Sequence, residues 1–113
     1  MINLRHLKTL SKGNTDFISE ILQVYLTNAP RDFEELKSSY EARDMDKVCY
    51  LAHKLKSSTF TIGFDEGYKI FQEIECILKE GKSREKISAL IEKANSACSQ
   101  SIVEVKIELA KFL

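Results

Sequence analysis

The chain has 113 residues, 43% of them hydrophobic and 30% charged, with 17 basic side chains against 17 acidic ones. This is the length and composition of a soluble globular domain that can bury a core without disulfide or metal staples. A formal net charge of zero argues against a nucleic-acid partner, which calls for an excess of Lys and Arg on one face. No run of about eighteen apolar residues offers a membrane span.

The opening stretch, MINLRHLKTL, lacks the basic-then-apolar order of a secretory leader. Cys49, Cys76 and Cys98 are odd in number and far apart. That spacing suits a reducing cytoplasm, not a disulfide framework or a zinc site, and reads them as small, mostly packed residues. One Pro and four Gly leave few breaks. Residues 1–113 therefore read as a single domain, helical from end to end, without linker or repeat.

From Met1 to about Leu10 runs a short amphipathic piece carrying Ile2, Leu4, Leu7 and Leu10, closed by a turn at Ser11-Lys12-Gly13. Asn14 is a good N-cap for the next helix, with Asp16 in its first turn. Phe17, Ile18, Ile21, Leu22, Tyr25 and Leu26 keep helical spacing up to Pro30. Pro30 can start a new helix or kink one long helix. The apolar register continues through Phe33, Leu36 and Tyr40, which favours one kinked helix. After a turn at Arg43-Asp44, a third element spans about Asp44 to Ile62, with Gly63 as a left-handed C-terminal cap. A fourth helix, capped by Asp65, ends at Gly81, and Ser83 caps the last and longest one. Its apolar positions, from Ile87 and Leu90 through Val105 to Leu109 and Phe112, alternate in threes and fours. The expected fold is all-α: an antiparallel four-helix bundle with a short additional N-terminal helix.

The third helix carries the chemistry. At about 100° per residue, Val48, Ala52, Leu55, Thr59 and Ile62 share one face, which must be the core face. His53 points about 140° away, into solvent. Cys49 lies one turn before it, Lys56 and Ser57 one turn after, and Phe60 two turns after, also off the core direction. A lone surface histidine is most often just a solvated polar residue, and His6 is read that way.

His53 stands apart because of its context. Residues 52–63, AHKLKSSTFTIG, resemble the signature of histidine phosphotransfer (HPt) domains: a phosphorylatable His followed by x-L-K-G-S, then a Gly ten residues after the His. His53, Leu55, Lys56, Ser58 and Gly63 match in place. Upstream, Phe17-Ile18 to Tyr25-Leu26, Ala29-Pro30 and Leu36 resemble the family's first long helix. Downstream, Ile70, Phe71, Ile74 and Glu75 resemble the helix after the Gly. The likeness covers roughly residues 10–110, with the last helix matching in pattern only. Two positions depart from the family. Ser57 replaces a usual Gly but stays small, and Gly67 replaces an apolar residue, which should loosen the fourth helix by about 1 kcal/mol relative to Ala.

The resemblance implies that His53 Nε2 carries the phosphoryl group while the other ring nitrogen stays an N–H donor. Glu75, where relatives place a Glu or Gln near the His, is the candidate acceptor for that N–H, with Gln72 a weaker one. Lys56 is the expected charge partner of the phosphoryl group, which in comparable side-chain esters adds roughly −1.5 to −2 charges. Lys54 and Lys79 are left without a role beyond the local field. Cys49, Ser57, Phe60 and Gln72 are expected to meet the partner. No Walker-type or kinase Gly-rich loop is present, so the chain reads as a phosphoryl carrier without an ATP site and without a cofactor of its own. Mg²⁺ is expected on the receiver partner. The expected partners are response-regulator receiver domains, a hybrid histidine kinase, or both, met by a cytoplasmic monomer. Two alternatives stay open: the detached phosphoacceptor module of a chemotaxis-type histidine kinase, and a helical adaptor that is never phosphorylated.

Overall fold

A computed structural model describes residues 2–112. The elements are α1 (Arg5–Leu10), α2 (Thr15–Glu41), α3 (Met45–Thr61), α4 (Asp65–Glu80), a 3₁₀ turn (Arg84–Lys86) and α5 (Ile87–Ala110). Among the described residues there is no strand. Three-residue connections after α2 and α3 fold each helix back antiparallel on the one before it. Packing runs from α2 to α3, α3 to α4, α4 to α5 and back from α5 to α2, which closes the expected four-helix bundle. The molecule measures 42 × 21 × 20 Å, and the 27 residues of α2, at about 1.5 Å each, account for its long axis.

The helix ends follow the sequence signals in part. The Asn14 side chain accepts the Phe17 N–H, and that of Asp44 accepts the Lys47 N–H. α2 runs unbroken through Pro30, as the continuous apolar register requires. Asp65, however, is not the cap of α4. Phe64 takes that position without a side-chain bond, because its ring is needed in the core, and Asp65 falls into the first helical turn. Nor does Ser83 cap the last helix. It adopts a left-handed φ of 61° and leads into the 3₁₀ turn, so α5 begins only at Ile87 and, with 24 residues against the 27 of α2, is not the expected longest helix.

The core forms where the wheel of α3 places it: Val48, Ala52, Leu55, Thr59 and Ile62 are all fully buried. The Thr59 hydroxyl is satisfied there by donating to the carbonyls of Leu55 and Lys56. Tyr25 on α2 and Ser101 on α5 share a buried hydroxyl–hydroxyl bond of 2.8 Å. The reading of the cysteines as mostly packed holds for Cys98, which lies half-buried against the core, and is corrected for Cys76, which is exposed beyond the Ile70–Ile74–Ile77 stripe; Cys49 is half-buried. Leu4 and Leu7 are buried as expected, whereas Leu10, the last residue of α1, is exposed. Met1, where the expected N-terminal piece starts, lies outside the described residues.

Two glycines are set by close approach. Gly63 has a left-handed φ of 67°, and a Cβ there would fall on the Asn3 carbonyl. The Asn3 N–H donates to the Ile62 and Gly63 carbonyls, so this glycine both ends α3 and seats the N-terminal segment. Gly67 was expected to loosen α4. Instead it is buried, and an added Cβ would lie 2.6 Å from the Phe64 ring, so glycine is what lets that ring pack. Among the described residues, no helix is long and apolar enough to cross a membrane.

Candidate functional site

Because the apolar face of α3 is drawn into the core, His53 is forced outward, with its side chain 58% exposed. α4 lies alongside. Its Ile70, Phe71, Ile74 and Ile77 turn inward, which brings Glu75 to the seam with α3, where its side chain is only 5% exposed. Glu75 Oε2 lies 2.8 Å from His53 Nδ1. An ionised carboxylate can only accept, so Nδ1 carries the proton and donates. That tautomer leaves a lone pair on Nε2.

The same carboxylate holds two lysines. Lys56 Nζ is 2.7 Å from Oε1, and Lys79 Nζ is 3.1 Å from Oε2. Burial pushes the Glu75 carboxyl up, but hydrogen bonds from Lys56, Lys79 and His53 outweigh it and bring the group down to about 2. The bond to Glu75 in turn raises Lys56. One buried anion beside two cations leaves a net positive charge next to a nucleophilic ring nitrogen. Such a site can attract an anionic electrophile and stabilise it once bound.

The sequence-derived candidates fall into place unevenly. His53, Lys56 and Glu75 form one hydrogen-bonded cluster, and Glu75 is a buried hub, where an acid on an amphipathic helix could equally have sat on the surface. Gln72 is exposed one turn earlier on α4, and the ring bond belongs to Glu75. Ser57 is exposed and Cys49 half-buried on either side of the His53 direction. Phe60 is 55% exposed, as the wheel implies. It is not isolated: the His6 ring lies 5.3 Å away, edge to face, and the Tyr68 ring 5.8 Å away.

Sequence reasoning underrated or missed three contributors. Lys79 binds Glu75, and the Glu-to-Lys spacing of four on one helix was a usable signal. Asp32 is buried on α2 and holds Lys54 at 3.4 Å and Arg31 at 3.9 Å. A lone Asp in a charged stretch gives no such signal. His6, read as a solvated residue, joins the ring cluster at Phe60 through the fold of the N-terminal segment.

An all-helical bundle presenting one exposed, tautomer-fixed histidine beside clustered lysines is the architecture of a phosphotransfer module. Residues 20–111 match the family model of the Hpt domain, and the chain belongs to that family, whose members are phosphocarrier modules of phosphorelays, not kinases. The fold is also that of the HPT domain from the Hpt sensor hybrid histidine kinase from Shewanella. The TM-score is 0.85 at 21% identity, over 97% of this chain and 94% of that one. No curated protein matches the sequence.

Proposed function

We propose that this chain carries a phosphoryl group on His53 Nε2 and exchanges it with the aspartates of receiver domains. In the loading step the Nε2 lone pair attacks phosphorus, an N–P bond forms, and the aspartyl P–O bond breaks to release the carboxylate. The imidazole gains positive charge as it reacts, and Glu75, accepting from Nδ1–H, stabilises that charge without moving. Lys56 and Lys79, held on Glu75, add positive charge near the ring that favours the incoming phosphoryl group. Unloading reverses the step toward a second receiver. The metal that phosphoryl transfer uses belongs to the receiver in this reading.

The observation that carries the proposal is the 2.8 Å bond from His53 Nδ1 to a buried carboxylate on an otherwise exposed ring. Only an arrangement that leaves Nε2 unprotonated and facing outward makes this ring a nucleophile. Incubation with a phosphorylated receiver should give an acid-labile phosphoprotein in the parent and none in His53→Gln, while His6→Gln stays competent. Phosphorylation that survives in folded His53→Gln would overturn the assignment.

A further inference from the structure

The two lysines closest to His53 along the chain do not lie over the outward face of α3. Lys56 is drawn toward α4 by Glu75 and Lys54 toward α2 by Asp32. Asp32 is buried, its Oδ1 lies 3.4 Å from Lys54 Nζ, and its Oδ2 has no hydrogen-bond partner. Withdrawing Lys54 would leave it with Arg31 at 3.9 Å. Between these two tied-down cations the outward strip of α3 reads Tyr50, His53, Ser57 and Phe60, none of them a Lys, Arg, Asp or Glu, with the exposed Asp46 one turn before Tyr50. The strip is about 15 Å long at 1.5 Å per residue.

Tyr50 is 64% exposed, more than Phe60. It lies about 60° round the helix from His53 and about 4.5 Å before it, while Phe60 lies about 20° round and about 10 Å beyond. One exposed apolar residue is ordinary on a protein surface. Two aromatic rings bracketing the reactive group, on a strip cleared of cations by two buried acids, form a patch with the composition of an interface core. A small phosphodonor has no use for such a strip, whereas a protein that must press its phosphorylated carboxylate against His53 does.

We infer that Tyr50 is a second aromatic anchor for the receiver, on the opposite side of His53 from Phe60. The face it meets is the receiver surface beside the phosphorylatable aspartate. Two anchors, one on each side of the transfer point, fix the rotation of the receiver about the N–P axis, which a single anchor cannot do. The inference rests on the carrier function proposed above.

Phosphoramidate, a donor small enough to need no docking face, separates the two. The parent, Tyr50→Ala, Tyr50→Phe, Tyr50→Glu and the remote surface control Val103→Ala are each melted, labelled with phosphoramidate, and mixed with a receiver that the parent phosphorylates. Tyr50→Ala should melt and label like the parent, yet need at least about fivefold more receiver for half-maximal transfer. Tyr50→Phe should stay near the parent, Tyr50→Glu should be weaker than Ala, and Val103→Ala unchanged. Half-maximal receiver concentrations for Tyr50→Ala and Tyr50→Glu that equal the parent's would overturn the inference alone, and so would a loss equalled by Val103→Ala. A parent that takes no label on His53 from phosphoramidate sinks the carrier function itself.

Discussion

Replacing Glu75 by Ala isolates what the buried carboxylate does for the ring. The substitution removes the acceptor at 2.8 Å from Nδ1, so the imidazole is free to turn and to exchange tautomers. A hydrogen bond to a charged group contributes about 1.5–3 kcal/mol. If that energy is expressed in reaching the transition state, at about 1.4 kcal/mol per factor of ten, phosphorylation should slow roughly ten- to a hundredfold. Glu75→Gln keeps a neutral acceptor in the same place. Its bond is worth about 0.5–1.5 kcal/mol, so it should recover part of the rate and rank between the parent and Ala. The rate of phosphohistidine formation from phosphoramidate, followed by phosphorus NMR, reads this without any receiver, and circular dichroism melts show whether each variant is folded. A folded Glu75→Ala variant that is labelled at the parental rate would refute the reasoning and leave Glu75 as a counter-ion for Lys56 and Lys79.

The other expectations are simpler. Glu75 sits at about 2 in the fold against an ordinary 4.5, so the unfolded chain binds more protons and the stabilisation is complete above about pH 5 and lost as pH falls toward 2. Glu75→Gln should therefore flatten the dependence of Tm on pH across that window and leave it unchanged near neutrality. Lys56→Ala removes the 2.7 Å partner of Glu75 and a cation beside the ring. Receiver-driven transfer should slow several-fold with little change in melting, and parental kinetics would make Lys56 a bystander. Ser57→Arg, at an exposed position one turn from His53, should block receiver transfer while sparing phosphoramidate labelling. Gly63→Ala must leave its left-handed φ or displace Asn3, and should lower Tm by roughly 5–10 °C.

The bundle was legible because its signals are local. Val48, Ala52, Leu55, Thr59 and Ile62 repeat at helical spacing, and that alone sends His53 to the outside. Caps that depend on tertiary packing were not legible. Asp65 looks like an N-cap by type, but the core claims Phe64 one residue earlier, and the cap position goes with it. Gly67 looked like a weakness because propensity counts only the helix it sits in, and nothing in the spacing shows a ring lying across it. At the site, the family signature located His53 and Lys56, and the likeness pointed to Glu75. That Glu75 is buried, with two lysines on it, follows from how α4 rolls against α3, a quantity the sequence of neither helix contains. Asp32 illustrates the same limit: an acid on α2 and a lysine on α3 become partners only when the two helices meet.

The seating of Asn3 on Gly63 also decides where the chain ends emerge. Ile2 N–H is held by Glu104 at 2.9 Å, so the first described residues and the end of α5 leave from one pole of the bundle, the pole where α3 stops. His53 lies eight residues before Thr61, about 12 Å down the axis from that pole. A flexible tether of 20 residues has a root-mean-square span of roughly 25 Å. A receiver spliced by design to either end would thus hover within reach of the imidazole and face it at an effective concentration on the order of millimolar. Exchange within such a fusion would outcompete dilute partners in solution, and swapping the tether from one end to the other would change its rate little.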